Sequence, residues 1–240
     1  MINKKQLNQI KKLGIKIDHQ MAFKGKSKGN KHLFRIVKIA KYLSQKMNAD
    51  MTIVEAGAWL HDTALPTGND YDYKKNKKVI LDLISSFNLS LKEKNLIAEC
   101  VASHEGTINP KTLEAEIVHD ADVLEKVGLL GIIRHTWKLT NSGKINPLKI
   151  KDSDVKEILQ HINWRINKLK TPLAKKIAQY LNLQINEEKA KIIISISANL
   201  AIKGVITEKI AIILQKHLTK DQNNKLKEQL SLSFLINNFN

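Results

Sequence analysis

Cysteine is almost absent from this sequence of 240 residues. Cys100 stands alone and cannot form an internal disulfide, so a reduced, cytoplasmic setting is expected. Gly (10) and Pro (4) are scarce, which argues against an all-β chain built on many tight turns. Aromatic residues make up only 5%, and the aromatic interleaving that would suit base stacking is missing. No run reaches the roughly 18 uncharged apolar residues that a membrane span needs. The best candidate, Ile192 to Ile202, is closed off by Lys191 and Lys203. No apolar core follows Met1-Ile2-Asn3-Lys4-Lys5, so no secretory signal is expected.

Arginine is scarce too. Of 40 basic residues only Arg35, Arg134 and Arg165 are arginine. The net charge of +17 invites a nucleic-acid reading. The lysines, however, are spread over nearly every helix, and the Lys, Asn and Ile richness is the bias an A/T-rich genome would produce. The charge is therefore read as compositional, although a positive surface still attracts phosphorylated substrates. A hydrophobic content of 42% with 26% charged residues is ordinary for a globular protein, and the length allows one or two domains.

What is present is helical periodicity nearly throughout, so the expected fold class is all-α. A Lys/Gly-rich loop, Lys24 to Asn30, leads into a helix whose face carries His32, Ile36, Ile39, Ala40 and Leu43. Asp50 or Thr52 can cap the next helix, with Glu55 placed for a capping box to Thr52. That helix runs to His61 and is followed by the breaker Pro66-Thr67-Gly68. Helices are expected over Lys75 to Phe87 and over Ser90 to Ser103, the second with Ser90 and Glu93 as a capping box. Thr112 can cap a long helix from Leu113 through Leu130, with Gly128 and Gly131 as points of kinking or close packing, and Thr171-Pro172 is another helix start. Glu187 to Ala201, Thr207 to Leu218 and Asp221 to Phe234 read as three further helices. A soft boundary is placed at residue 183, between a part carrying chemistry (1–182) and a helical C-terminal extension (183–240). The amphipathic pattern of that extension leaves lid, dimerisation (a homodimer) and partner binding as open readings.

The chemistry-bearing residues are His32, the adjacent pair His61-Asp62, and Asp122 within Asp120-Ala121-Asp122. Each has a bland reading: a structural histidine, an exposed helix end, a solvated acidic face. Together, two imidazoles and two carboxylates from three helices could form a mixed nitrogen/oxygen site for a divalent metal.

The order His32, His61-Asp62, Asp122 resembles the H…HD…D signature of the HD superfamily of metal-dependent phosphohydrolases. Ala58-Trp59-Leu60-His61-Asp62 is similar to the apolar run that precedes the family's HD pair. Thr112 to Gly128, with Asp120-Ala121-Asp122-Val123-Leu124, resembles a stretch of the small single-domain members, as do Ile162 to Leu169 and Pro172 to Ala174. The resemblance spans residues 20 to 182. It implies an HD-type helical bundle with His32, His61, Asp62 and Asp122 as metal ligands, and Asp120 as a partner that orients a histidine or a metal-bound water. One divalent ion is favoured over two, because two-metal members usually supply two additional histidines and only His104 fits well. Mn²⁺ is preferred, with Mg²⁺, Fe²⁺, Co²⁺, Ni²⁺ and Zn²⁺ as alternatives.

The implied reaction is attack of a metal-activated water on a nucleotide or a similar small phosphate ester. Asp62, His104 and Glu105 are the expected catalytic groups; Arg35, Lys126 and Arg134 are the expected phosphate contacts, although an ion pair is an equal reading for Arg134. Leu65 and Pro66 stand where some subgroups place catalytic acids, which disfavours guanosine-tetraphosphate hydrolysis and deoxynucleoside-monophosphatase activity. The rival readings are a nucleic-acid-linked phosphodiesterase or RNA-binding protein, and an inactive metal-bound regulator.

Overall fold

A computed structural model describes residues 2–182 and 185–239. It is all-α, with no strand among the described residues. Among the described residues no helix is long and apolar enough to cross a membrane. The chain divides into two compact units, residues 1–122 with 169–174, and residues 123–168 with 175–240.

The first unit contains α1 (Lys4–Gln20), α2 (His32–Met47), α3 (Met51–Leu60), α4 (Tyr73–Leu83), α5 (Leu91–Ser103) and most of α6 (Leu113–Glu125). Helix α3 is its axis. Ile53, Val54, Ala56, Gly57, Ala58, Trp59 and Leu60 are all buried, the all-round apolar character of a helix enclosed by neighbours. It packs on α1, α2 and α5. Two glycines permit the close approaches. A Cβ on Gly14 would lie 2.1 Å from the Trp59 carbonyl oxygen, and one on Gly57 would lie 2.6 Å from the Cβ of Cys100. Burial pushes the Cys100 thiol well above its usual pKa, so it acts as a small core residue.

Caps fix where these helices begin. Asp50 accepts from the backbone N–H groups of Thr52 and Ile53 at 2.9 and 3.3 Å. The capping box expected between Thr52 and Glu55 does not form, because Glu55 instead accepts from Lys41 at 2.8 Å and from the Trp59 indole at 3.3 Å. Ser90 and Glu93 do form their reciprocal box. Helix α4 ends at Leu83, short of the expected Phe87.

The second unit begins in the last residues of α6. The long helix expected from Leu113 through Leu130 is broken: α6 stops at Glu125, Val127 is extended, and α7 (Gly128–Asn141) starts anew. Gly128 explains the break. Its φ is +61°, in the left-handed region that favours glycine, and a Cβ there would lie 2.5 Å from the Leu181 carbonyl oxygen. The remaining helices are α8 (Asp152–Ile166), α9 (Pro172–Leu181), α10 (Glu187–Ile202), α11 (Thr207–Leu214), α12 (Lys220–Ser231) and α13 (Ser233–Asn237). The single helix expected over 221–234 is interrupted at Leu232, where φ is +62°.

Helix α7 is the axis of this unit and packs on α8, α10, α11 and α12. Gln229 of α12 spans the break, donating to the Val127 carbonyl at 2.8 Å and accepting from the Leu130 N–H at 3.4 Å. The boundary expected at 183 falls on Leu183 and Gln184, outside the described residues. Of the helices beyond it, α10, α11 and α12 pack on α7, and α13 packs on α12.

Candidate metal centre

The first unit's helices deliver polar side chains from their ends. His32 opens α2 and is 5% exposed. His61 follows the last residue of α3, and the chain there tightens into a 3-10 segment, His61–Thr67. In a regular α-helix adjacent side chains diverge by about 100°. Here Leu60 (φ −108°, ψ 1°) and Asp62 (φ −88°, ψ 15°) leave helical geometry, and His61 and Asp62 converge instead. Asp122 lies fully buried in α6.

Four side-chain atoms meet. His61 Nε2 lies 3.3 Å from His32 Nε2, 3.1 Å from Asp62 Oδ2 and 3.7 Å from Asp122 Oδ1. His32 Nε2 lies 3.5 Å from Asp62 Oδ2 and 3.6 Å from Asp122 Oδ1. The His61 Nδ1–H donates to the Ala58 carbonyl at 2.9 Å, which assigns the tautomer and leaves the Nε2 lone pair facing the cluster. A bare nitrogen facing carboxylate oxygens is repulsive unless a cation lies among them. With metal–ligand bonds of about 2.1 Å, neighbouring donor atoms stand about 3.0–3.4 Å apart. The donor set and its spacing therefore fit a divalent ion, and His32, His61 and Asp122 could hold one. With no cation in the cluster, protonated His61 and His32 beside Asp62 would outweigh the effect of burial and hold its carboxyl well below the usual range. Asp62 is also the open side of the cluster, with its side chain 20% exposed and the others at 6% or less. A cleft lined by Ile17, Asp18, Leu33, Trp59 and Thr63 reaches it.

A second group adjoins the first: Asp62, Asp70, His104 and Glu105. His104 follows the last residue of α5, and its Nδ1–H donates to the Val101 carbonyl at 2.7 Å. Burial pulls the His104 imidazole down to about 4, and His61 pulls the same way; Glu105, Asp122 and Asp62 oppose this. Asp70 was not among the sequence candidates. It is 2% exposed, and its segment is tied down by buried Asn76, whose side-chain amide donates to the carbonyls of Asp70 (3.2 Å) and Val101 (3.3 Å). Within Gly68-Asn69-Asp70-Tyr71-Asp72 a lone aspartate reads as a turn residue, so the only sequence signal was its closeness to the His61-Asp62 pair.

The other candidates sit as follows. Arg35 is one turn beyond His32 on α2 and is 4% exposed. Asp120 Oδ1 lies 4.0 Å from His119 Nε2. Its two oxygens accept from the backbone N–H groups of Lys170 (2.9 Å) and Thr171 (2.8 Å), fastening the chain ahead of α9. His119 donates from Nδ1 to the His104 carbonyl at 2.7 Å and supports the turn at Gly106. Lys126 lies just past the end of α6, and Arg134 pairs with buried Glu125 at 2.7 Å; both belong to the second unit.

The match to known proteins is centred on these residues: the family model of the HD domain covers residues 30–126. This part of the chain is an HD domain. Such domains are typically those of metal-dependent phosphohydrolases. An uncharacterized Bacillus subtilis protein, YpgQ, is 27% identical over 119 residues, which covers 43% of this chain and 53% of YpgQ. The chain thus matches about half the length of that curated relative. Among solved structures, one from Lactobacillus plantarum superposes with a TM-score of 0.58 at 22% identity, covering 75% of this chain and 91% of that one. Bacillus subtilis YpgQ in complex with ADP gives 0.55 at 22% identity, covering 73% and 87%. Lin1889 from Listeria innocua gives 0.52 at 20% identity, covering 83% and 96%. At these identities the solved structures establish the fold of the HD domain and its helical surroundings, and no more.

Proposed function

We propose that the chain is a metal-dependent phosphohydrolase that cleaves a phosphate ester or phosphoanhydride bond of a nucleotide or a related small molecule. The observation that carries this reading is the convergence of His32, His61, Asp62 and Asp122, with their facing atoms 3.1–3.7 Å apart. Two imidazoles beside two carboxylates suit Mn²⁺ first among divalent ions. An ion held there supplies positive charge to phosphate oxygens and lowers the pKa of water.

The chain's own residues account for the rest. Ala58 holds the His61 ring by its carbonyl. Asp62 provides the open edge at which a phosphate can enter. Arg35, one turn from His32, supplies a guanidinium suited to bidentate phosphate contact. Lys126 and Arg134 remain proposed phosphate contacts of lesser weight, since Arg134 already holds Glu125. His104 and Glu105 adjoin Asp62 and are proposed to act beside the reacting phosphate. The ADP bound to YpgQ supports a nucleotide as the substrate class.

The test is a phosphate-release screen over nucleotides and small phosphate esters with Mn²⁺, Mg²⁺, Co²⁺ or Ni²⁺, run beside Asp62→Ala and Asp122→Asn. Turnover that both variants abolish, together with lost metal content in Asp122→Asn, is the expected result. Full activity and full metal content in Asp62→Ala would end this reading.

A further inference from the structure

We infer that the second unit carries a stacking site for a nucleobase joined to phosphate, built on the rings of His135, His161 and Trp164 with Lys168 at its edge. A free nucleotide and a single strand of nucleic acid share that chemistry. All four residues lie in the second unit and none belongs to the candidate metal centre, so the site stands or falls apart from the metal-dependent reading above.

The carrying observation is a group of three stacked rings that ends at the surface. His135 of α7 stacks on His161 of α8, their centroids 4.0 Å apart and their planes 9° apart. Trp164 stacks on the same imidazole at 5.8 Å and 26°. The rings come from two helices, so the sequence shows no aromatic run here. Arg165, only 2% exposed, donates from Nε to His161 Nε2 at 3.1 Å. That nitrogen is therefore an acceptor, and His161 is an uncharged flat ring with a guanidinium fixed at its edge. Packing of α7 on α8 accounts for the two imidazoles but not for the indole. Trp59 and Trp137 are each 5% exposed, whereas Trp164 is 38% exposed. An indole held in a stack and open to solvent is a surface on which a base can lie, and bases stack on such rings with little regard to sequence.

The charge around the rings matches that ligand. His161, Trp164 and Lys168 follow one another at spacings of three and four, which sets them along one face of α8. Lys168 Nζ lies 5.8 Å from the Trp164 ring centroid. Lys138, Arg165 and Lys126 act on His135 as positive charges, and with burial they keep its imidazole neutral. Flat uncharged rings with a cationic rim use both halves of a base joined to phosphate. An apolar peptide would use the rings and waste the cations. A plain polyanion would do the reverse.

The test uses full-length protein in a chelating buffer, so that no bound metal contributes. A short labelled oligoadenylate, an abasic strand of the same length and AMP are the probes. Fluorescence anisotropy reads strand binding, with AMP as competitor, and tryptophan emission reads stacking directly. The adenylate strand should bind more tightly than the abasic strand and quench the emission. Trp164→Leu should weaken the adenylate strand about tenfold, and Trp164→Phe should recover most of that loss. Lys168→Gln should lower the slope of log affinity against log salt by about one. Circular dichroism checks that each variant is folded. Displacement and quenching by AMP at concentrations close to those of the strand would identify a free nucleotide as the ligand; a strand that binds far more tightly than AMP would identify single-stranded nucleic acid. Equal binding of the adenylate and abasic strands, wild-type affinity in Trp164→Leu, or no binding of either adenylate probe would overturn the site. Each of these results leaves the metal-dependent reading untouched, because that reading is tested with metal present.

Discussion

Replacing Gly57 with alanine should loosen both the fold and the centre, because Gly57 sets how closely α3 and α5 approach. An added Cβ would sit 2.6 Å from the Cys100 Cβ, 3.2 Å from its Sγ and 3.3 Å from Val118 Cγ2. These atoms belong to Cys100 of α5 and Val118 of α6, both buried, and the Cβ–Cβ contact cannot be relieved by rotating a side chain. Reaching ordinary contact requires the helices to part by about 1 Å, an overpacking cost of about 1–3 kcal/mol. Alanine recovers about 1 kcal/mol of helix propensity over glycine. The net expectation is a loss of up to about 2 kcal/mol in urea unfolding of the metal-free protein. His61 and His104 follow the last residues of these same two helices, their ring centroids 5.2 Å apart, so metal uptake should weaken as well. Cys100→Gly removes the opposing atoms, and the double variant should recover part of the loss, with a coupling of about 1 kcal/mol in a double-mutant cycle. If Gly57→Ala is as stable as the wild type and the pair is additive, the tight approach is not a constraint and this account of α3 and α5 is wrong.

Two further outcomes follow from the second unit. His135 stacks on His161 at 4.0 Å and 9°, and burial first, then His161, Lys138, Arg165 and Lys126, pull it down to about 2. Its folded pKa lies below its unfolded value of 6.5, so the unfolded chain binds the extra proton and stability falls as pH drops below about 6.5. The upper limit is about 1.4 kcal/mol per pH unit. His135→Gln should flatten that acid limb in denaturation series run at pH 7 and pH 5, and an unchanged slope would remove His135 as its cause. Arg134→Met takes away the guanidinium 2.7 Å from Glu125, whose side chain is fully buried, and should cost about 1.5–3 kcal/mol, the range of a hydrogen bond to a charged group. Adding Glu125→Leu should restore much of it, and a double variant no better than the single would refute the ion-pair role.

The helices were legible because their signals are local. Ser90 with Glu93, Thr112 and Thr171-Pro172 announce helix starts that the structure uses. His32, His61, Asp62 and Asp122 were legible as a group only through order and flanking residues, and the fold brings their facing atoms together. What the sequence hid depends on partners far along the chain. Gly128 marks a point of kinking within a helical apolar pattern, but that the helix stops and restarts there reflects Leu181 and Gln229, roughly fifty and a hundred residues away. Asp120 resembles a site residue by position, yet its partners are the backbone at 170 and 171. Asp70 was hidden because a turn aspartate looks the same whether it is exposed or buried beside His104, and only the ties of Asn76 to Asp70 and to α5 decide it.

That clasp at Asp120 has a consequence for the chain as it is made. Residues 169–174 belong with residues 1–122, although the 46 residues between them, 123–168, belong to the other unit. A nascent chain that has emerged only as far as residue 168 holds every side chain of the candidate centre. It lacks the two N–H groups that neutralise the buried Asp120 carboxylate, two residues from Asp122. The centre therefore cannot be completed in order of synthesis. It waits for a short late strip of polypeptide to return, so excising residues 1–122 as a separate protein would remove a piece of the site's own support.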